Sequence, residues 1–131
     1  MSTANDALLV ALGQEGIQVY DCLGAPNTAQ ATATKCIGQA NRFTTSVAGG
    51  SAAAVLPSVV SNEAQFMVFV INDTPNTIKV FPFTGENNNG AGNGTLSIPA
   101  GQSGIFIRVP PAVGKGGGGG GTTDWRSAAI P

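Results

Sequence analysis

The chain contains no histidine, and only 10% of its residues are charged, where ordinary soluble domains carry about 25%. Without histidine there is no imidazole general base, no histidine-containing triad and no imidazole metal ligand. Six lysines and arginines against seven aspartates and glutamates give a net charge of −1. A chain so poor in basic residues lacks the electrostatic footprint of a nucleic-acid binder. It has one tryptophan and one tyrosine, too few to suggest the aromatic-lined cleft of a glycosidase, and its carboxylates are scattered from Asp6 to Asp124. The two cysteines, Cys22 and Cys36, form no C-x-x-C, which excludes a zinc ribbon and a thioredoxin motif. Two reduced, partly buried thiols and a single disulfide formed after release from a cell both stay open. No apolar stretch approaches the length of a membrane span. These shortages predict a chain that is not an enzyme, with no catalytic residue, no cofactor and no metal, and with neither nucleic acid nor membrane as partner.

The length, 131 residues, suits one domain with a real core. Nineteen glycines and eight prolines point to short strands joined by turns. The run Ala7-Leu8-Leu9-Val10-Ala11-Leu12 resembles a signal-peptide core, but the first basic residue is Lys35, so no positive region precedes it. The expectation is synthesis and first use in a cytoplasm, with 5–12 as a short helix capped by Asn5 or Asp6 and stopped by Gly13. Ile17 to Cys22 alternates as a strand, and 24–34 reads as a polar, extended connector. Further strands are expected at 41–47, 66–71, 78–81, 95–98 and 105–109. The stretch Asn72 to Thr77 is dense in turn residues and suggests a hairpin joining 66–71 to 78–81. Gly85 to Gly94 and the six glycines 116–121 lack phosphate-loop spacing and read as loops. The expected fold is all-β: a small antiparallel β-sandwich or barrel of about seven strands, with a short N-terminal helix or extended arm. Residues 1–35 form the N-terminal segment and 36–131 the β-domain, with mobile loops at 85–94 and 114–122.

Two strands stand apart, because 66–71 and, apart from Arg108, 105–109 are apolar at both odd and even positions. A strand with one wet face would alternate. Their second face requires a further layer, a helix or a neighbouring copy, and the scarcity of helix and charge favours a neighbour. Phe66, Phe69, Ile105 and Ile107 are therefore the candidates for self-association, with Arg108 as a cation at the same interface. Leu8, Leu9 and Leu12 are candidates for contact with a larger assembly.

Several of these segments, taken together, form a pattern. Val70-Ile71-Asn72-Asp73 leads through Lys79-Val80-Phe81-Pro82-Phe83-Thr84-Gly85 to Asn89-Gly90. Leu96-Ser97-Ile98-Pro99-Ala100-Gly101, Ile105-Phe106-Ile107 and a late Trp125 follow, and upstream lie Asn41-Arg42-Phe43-Thr44-Thr45 and Leu56-Pro57. From about residue 30 to 126 the chain resembles a family of small virion proteins of tailed bacteriophages, which includes head decoration (cement) proteins and head or tail fibre proteins. The resemblance implies a structural, oligomeric and often trimeric protein on the capsid exterior, with the phage major capsid protein as partner. It carries over no catalytic residue, and the six-glycine run and the two cysteines have no counterpart in it. A fibre or receptor-binding component is the alternative within the virion, and a carbohydrate-binding β-module is the alternative outside it.

Overall fold

A computed structural model describes residues 3–23, 30–45, 52–58, 67–109 and 124–130. The chain is mostly β, with one short helix and two multi-stranded sheets. It opens with helix α1 (Thr3–Gln14), then β1 (Val19–Leu23), a 3-10 turn (Gln30–Thr32), β2 (Thr34–Lys35), β3 (Ala40–Thr45) and β4 (Ala52–Val55). Next come β5 (Met67–Asn72), β6 (Ile78–Phe81), β7 (Asn87–Asn88), β8 (Ala91–Gly92), β9 (Leu96–Ile98), β10 (Ser103–Val109) and β11 (Asp124–Ile130). The larger sheet has the order β1-β3-β5-β10-β11-β7-β8 and the smaller one β2-β4-β6-β9.

The strand arrangement corrects the expectation of an antiparallel fold. Strands β1, β3 and β5 run parallel to one another in the larger sheet, and β2, β4 and β6 do the same in the smaller. From β1 to β6 the chain thus alternates between sheets, laying each strand beside the one before last. Parallel neighbours need long connections, and each connection here is made by the intervening strand of the other sheet. Antiparallel pairing comes in the later part, β7 with β8, β9 with β6, and β10 with both β5 and β11, while β11 runs parallel to β7. The expected hairpin of 66–71 with 78–81 does not form, since β5 and β6 belong to different sheets. Strands β2, β4, β7, β8 and β11 add to the expected set, β7 and β8 within the segment expected to be a mobile loop; β4 is Ala52-Ala53-Ala54-Val55, whose alanines carry little strand propensity.

Alternation along the strands separates two apolar clusters. Val68 and Val70 of β5, Phe43 of β3, Phe106 of β10 and Trp125 of β11 join Ala52, Ala54, Ile78, Val80 and Ile98 of the smaller sheet in the main core. Small alanines on one sheet face large aromatic groups on the other, as close packing requires. Gly104 belongs to this fit, because a Cβ there would stand 2.6 Å from Ile98 Cδ1. The other face of β5, Phe69 and Ile71 with partly buried Met67, meets Leu12, Leu8 and Leu9 of α1, together with Ala40, Ile17, Val19 and Ile105. The two-faced strand is therefore covered by the smaller sheet on one side and by the chain's own helix on the other. Helix α1 stops in a Schellman arrangement: Gly16 has φ 75°, its N–H donates to Gly13 O (3.1 Å), and that of Ile17 donates to Leu12 O (2.9 Å). Gly13 lies inside the helix, and Gly16 does the stopping.

Candidate functional site

The polar residues of the resemblance pattern prove to be corners. Asn72 ends β5 fully buried, and its side chain meets all its bonding capacity. Its amide donates to Asn76 O and Ile98 O (both 2.8 Å). Its carbonyl accepts from Thr74 N (3.0 Å) and Thr74 Oγ1 (2.7 Å). The chain can leave one sheet for the other here because a single side chain satisfies the backbone that the corner strips of partners. Asn41, also fully buried, does the same at the start of β3: Oδ1 accepts from Ile37 N and Gly38 N, and Nδ2 donates to Gly38 O and Phe69 O.

The first turn of α1 is pinned to the Asn72 corner. Asn5 is 1% exposed and donates to Asn72 O (3.2 Å) and Asp73 Oδ1 (2.7 Å), while accepting from Ser103 Oγ (2.6 Å). Asp73 completes the group with an ion pair to Arg42 Nε at 2.8 Å. The cap expected at Asn5 is instead a buried clasp between helix and sheet.

The predicted site residues can now be placed. Phe66 lies outside the described residues. Phe69 is buried in the second cluster and Ile105 packs against it; Ile107 and Arg108 are half-buried on β10. Leu12 is buried in the same cluster, with Leu8 and Leu9 partly buried against it. Phe69 and Ile105, assigned to self-association, thus meet Leu8, Leu9 and Leu12, assigned to assembly contact, in one internal cluster. Arg108 stands opposite Trp125 in the β10–β11 ladder. Trp125 is fully buried, and its indole Nε1 has no hydrogen-bond partner among the described residues.

Segment 85–94 forms the short pair β7–β8, with Glu86 and Asn88 buried and Asn89 and Asn93 at positive φ. Asn89 ties this pair to β11 by accepting from Ser127 N (2.9 Å). The tract 114–122 lies outside the described residues. Cys22 and Cys36 are free and buried in the main core. Burial pushes both thiols above their ordinary value, with the Asp21 charge adding to the effect at Cys22 and the Cys22 thiol adding to it at Cys36. No cluster of three metal-ligating side chains exists among the described residues.

An open cleft of about 380 Å³ lies just beyond the carboxyl ends of the parallel strands β2, β4 and β6. Cys36 follows β2, Leu56, Pro57 and Ser58 follow β4, and Phe83 and Thr84 follow β6. Phe83 is 46% exposed. Lys35 is the one charged side chain on the lining. The nearby Glu86 is 6% exposed, and its carboxylate accepts from Ser58 Oγ. Gln30 bridges one wall by donating to Pro82 O (2.7 Å) and Asn93 Oδ1 (3.1 Å). Residue order hides this cleft, because its walls come from three strand ends about 20 and 25 positions apart. Comparison with protein-family models, with curated proteins and with solved structures finds no match.

Proposed function

We propose that the chain is a structural virion protein: a bacteriophage capsid decoration (cement) protein that binds the outer head surface and stabilises the shell. The reading rests on the resemblance over residues 30–126, and one observation carries it. The described pattern residues build architecture: Asn72 turns the corner, Gly101 sits at φ 79° in the Ala-Gly turn, and Trp125 fills the core. A sequence pattern made of such residues favours a part that contributes a stable, shaped surface rather than a reaction. Such a protein stabilises by mass action, because its binding energy exists only when the shell is assembled. The two sheets with α1 are read as a small sandwich-like body resting on the capsid exterior after assembly in the host cytoplasm.

A trimer is what the resemblance implies. The two-faced strand β5 no longer argues for it, since α1 covers its second face. The surfaces left for partners carry Val10 (61% exposed), Ile37 (63%) and Phe83 (46%). The test is cosedimentation of the purified protein with heads stripped of it, followed by heating of the loaded heads. Saturable binding in hundreds of copies with a raised disruption temperature is expected. A few copies per particle would favour the fibre reading instead, and absence of binding would end the decoration reading.

A further inference from the structure

The cleft beyond β2, β4 and β6 lies next to an open strand edge. Strand β2 is the terminal strand of its sheet, with β4 on one side and no strand on the other among the described residues. Lys35 stands opposite Val55, and Cys36 N donates to Val55 O at 2.9 Å. Successive residues of a strand direct their N–H and C=O groups to opposite sides. Since Cys36 points its N–H to β4, Lys35 points its own backbone pair to the open edge, and Lys35 also lines the cleft. The buried wall there is apolar, with Val55, Leu56 and Cys36, and Phe83 stands half out of it. The Glu86 carboxylate accepts from Ser58 Oγ behind the lining, and Lys35 is the charged residue on the lining itself.

We propose that this cleft seats an extended peptide segment of the shell protein to which the chain binds; this rests on the decoration reading. The segment adds beside β2 by accepting from and donating to the Lys35 backbone. It lays an apolar side chain against Phe83 and brings a carboxylate to the Lys35 ammonium. Strand addition supplies the backbone bonds, while the cleft and the cation select an apolar residue next to an acidic one. Lys35 and Phe83 are exposed, so Lys35→Glu and Phe83→Ala leave the fold intact, which thermal melting checks.

The test has two arms. In the first, the whole chain is titrated with a capped pentapeptide of alternating aspartate and valine and followed by amide resonances. Joint shifts at Lys35, Cys36, Ser58 and Phe83, weakened about tenfold or more by Lys35→Glu, are expected. Shifts elsewhere, none at millimolar peptide, or the same shifts in Lys35→Glu would overturn the proposal. So would movement of these amides by a neutral oligosaccharide and not by the peptide. In the second arm, wild type and both variants are bound to stripped heads. Loss of about tenfold in affinity by both variants supports the cleft. Unchanged binding by both removes the cleft and leaves the decoration reading standing. Failure of wild type to bind removes the decoration reading and with it the shell protein as occupant.

Discussion

Replacing Leu12 by alanine tests whether the helix is the cover that β5 needs. Leu12 is 3% exposed and packs with Ala40, Phe69 and Ile71, whereas Val10, two positions earlier on the same helix, is 61% exposed. Truncating a buried leucine removes its transfer energy and leaves a cavity, at a cost of about 2–4 kcal/mol. Helix α1 can detach instead of tolerating the void, so the loss is bounded by its docking energy. Val10→Ala should cost under about 0.5 kcal/mol, as an exposed substitution does. In a chain of this length the Leu12 loss lowers the melting temperature by on the order of 10 °C. Urea denaturation measures the free energies. A dye that fluoresces on apolar surface reports the consequence, since a freed helix bares Phe69, Ile71 and Ile105. Leu12→Ala should bind the dye under native conditions and Val10→Ala should not. Equal stability in the two variants, with no dye binding by either, would refute the view that α1 completes the fold.

The remaining predictions concern polar and thiol groups. Asn5→Ala should cost about 1–3 kcal/mol, because it strips partners from Asn72 O, Asp73 Oδ1 and Ser103 Oγ at once; a double-mutant cycle with Leu12→Ala should show coupling through the helix. Asn72→Asp should destabilise strongly at neutral pH, because a carboxylate facing Asn76 O and Ile98 O cannot donate; part of the loss should return in acid, where the protonated form donates once. Both cysteines should resist a thiol reagent in the native state and give two free thiols on unfolding; none on unfolding would mean a disulfide. Burial raises both thiols above the ordinary 9.0. The folded state therefore holds its protons longer than the unfolded one, so stability is flat below that value and falls as pH rises beyond it. Urea midpoints across that window, compared with those of a Cys36→Ala variant, check the sign.

Much of the local structure was legible. Helix α1, strand β6 and the two-faced character of β5 follow from periodicity, which needs only neighbours in sequence. What periodicity does not carry is the identity of a strand's partner. Asn72 to Thr77 reads equally as a hairpin turn or as a corner between sheets, and the choice is made by the bonds of Asn72 to Ile98, 26 residues away. The alternation of sheets from β1 to β6 was illegible for the same reason. Strand β4 escaped because three alanines give no strand signal. The cover of β5 was misread because the leucines of α1 and the apolar residues of β5 were each read as outward-facing, when each is the other's partner. The cleft needs the ends of β2, β4 and β6 to be side by side, which only the parallel pairing establishes.

Hydrogen exchange on the dilute protein, with its mass in solution measured on the same sample, goes most directly to the claim that one chain completes its own core. The account predicts a single copy at low micromolar concentration in which the β5 amides Val68 to Ile71 are among the slowest to exchange. Fast exchange along β5 in the single copy, slowing only as copies associate, would contradict it.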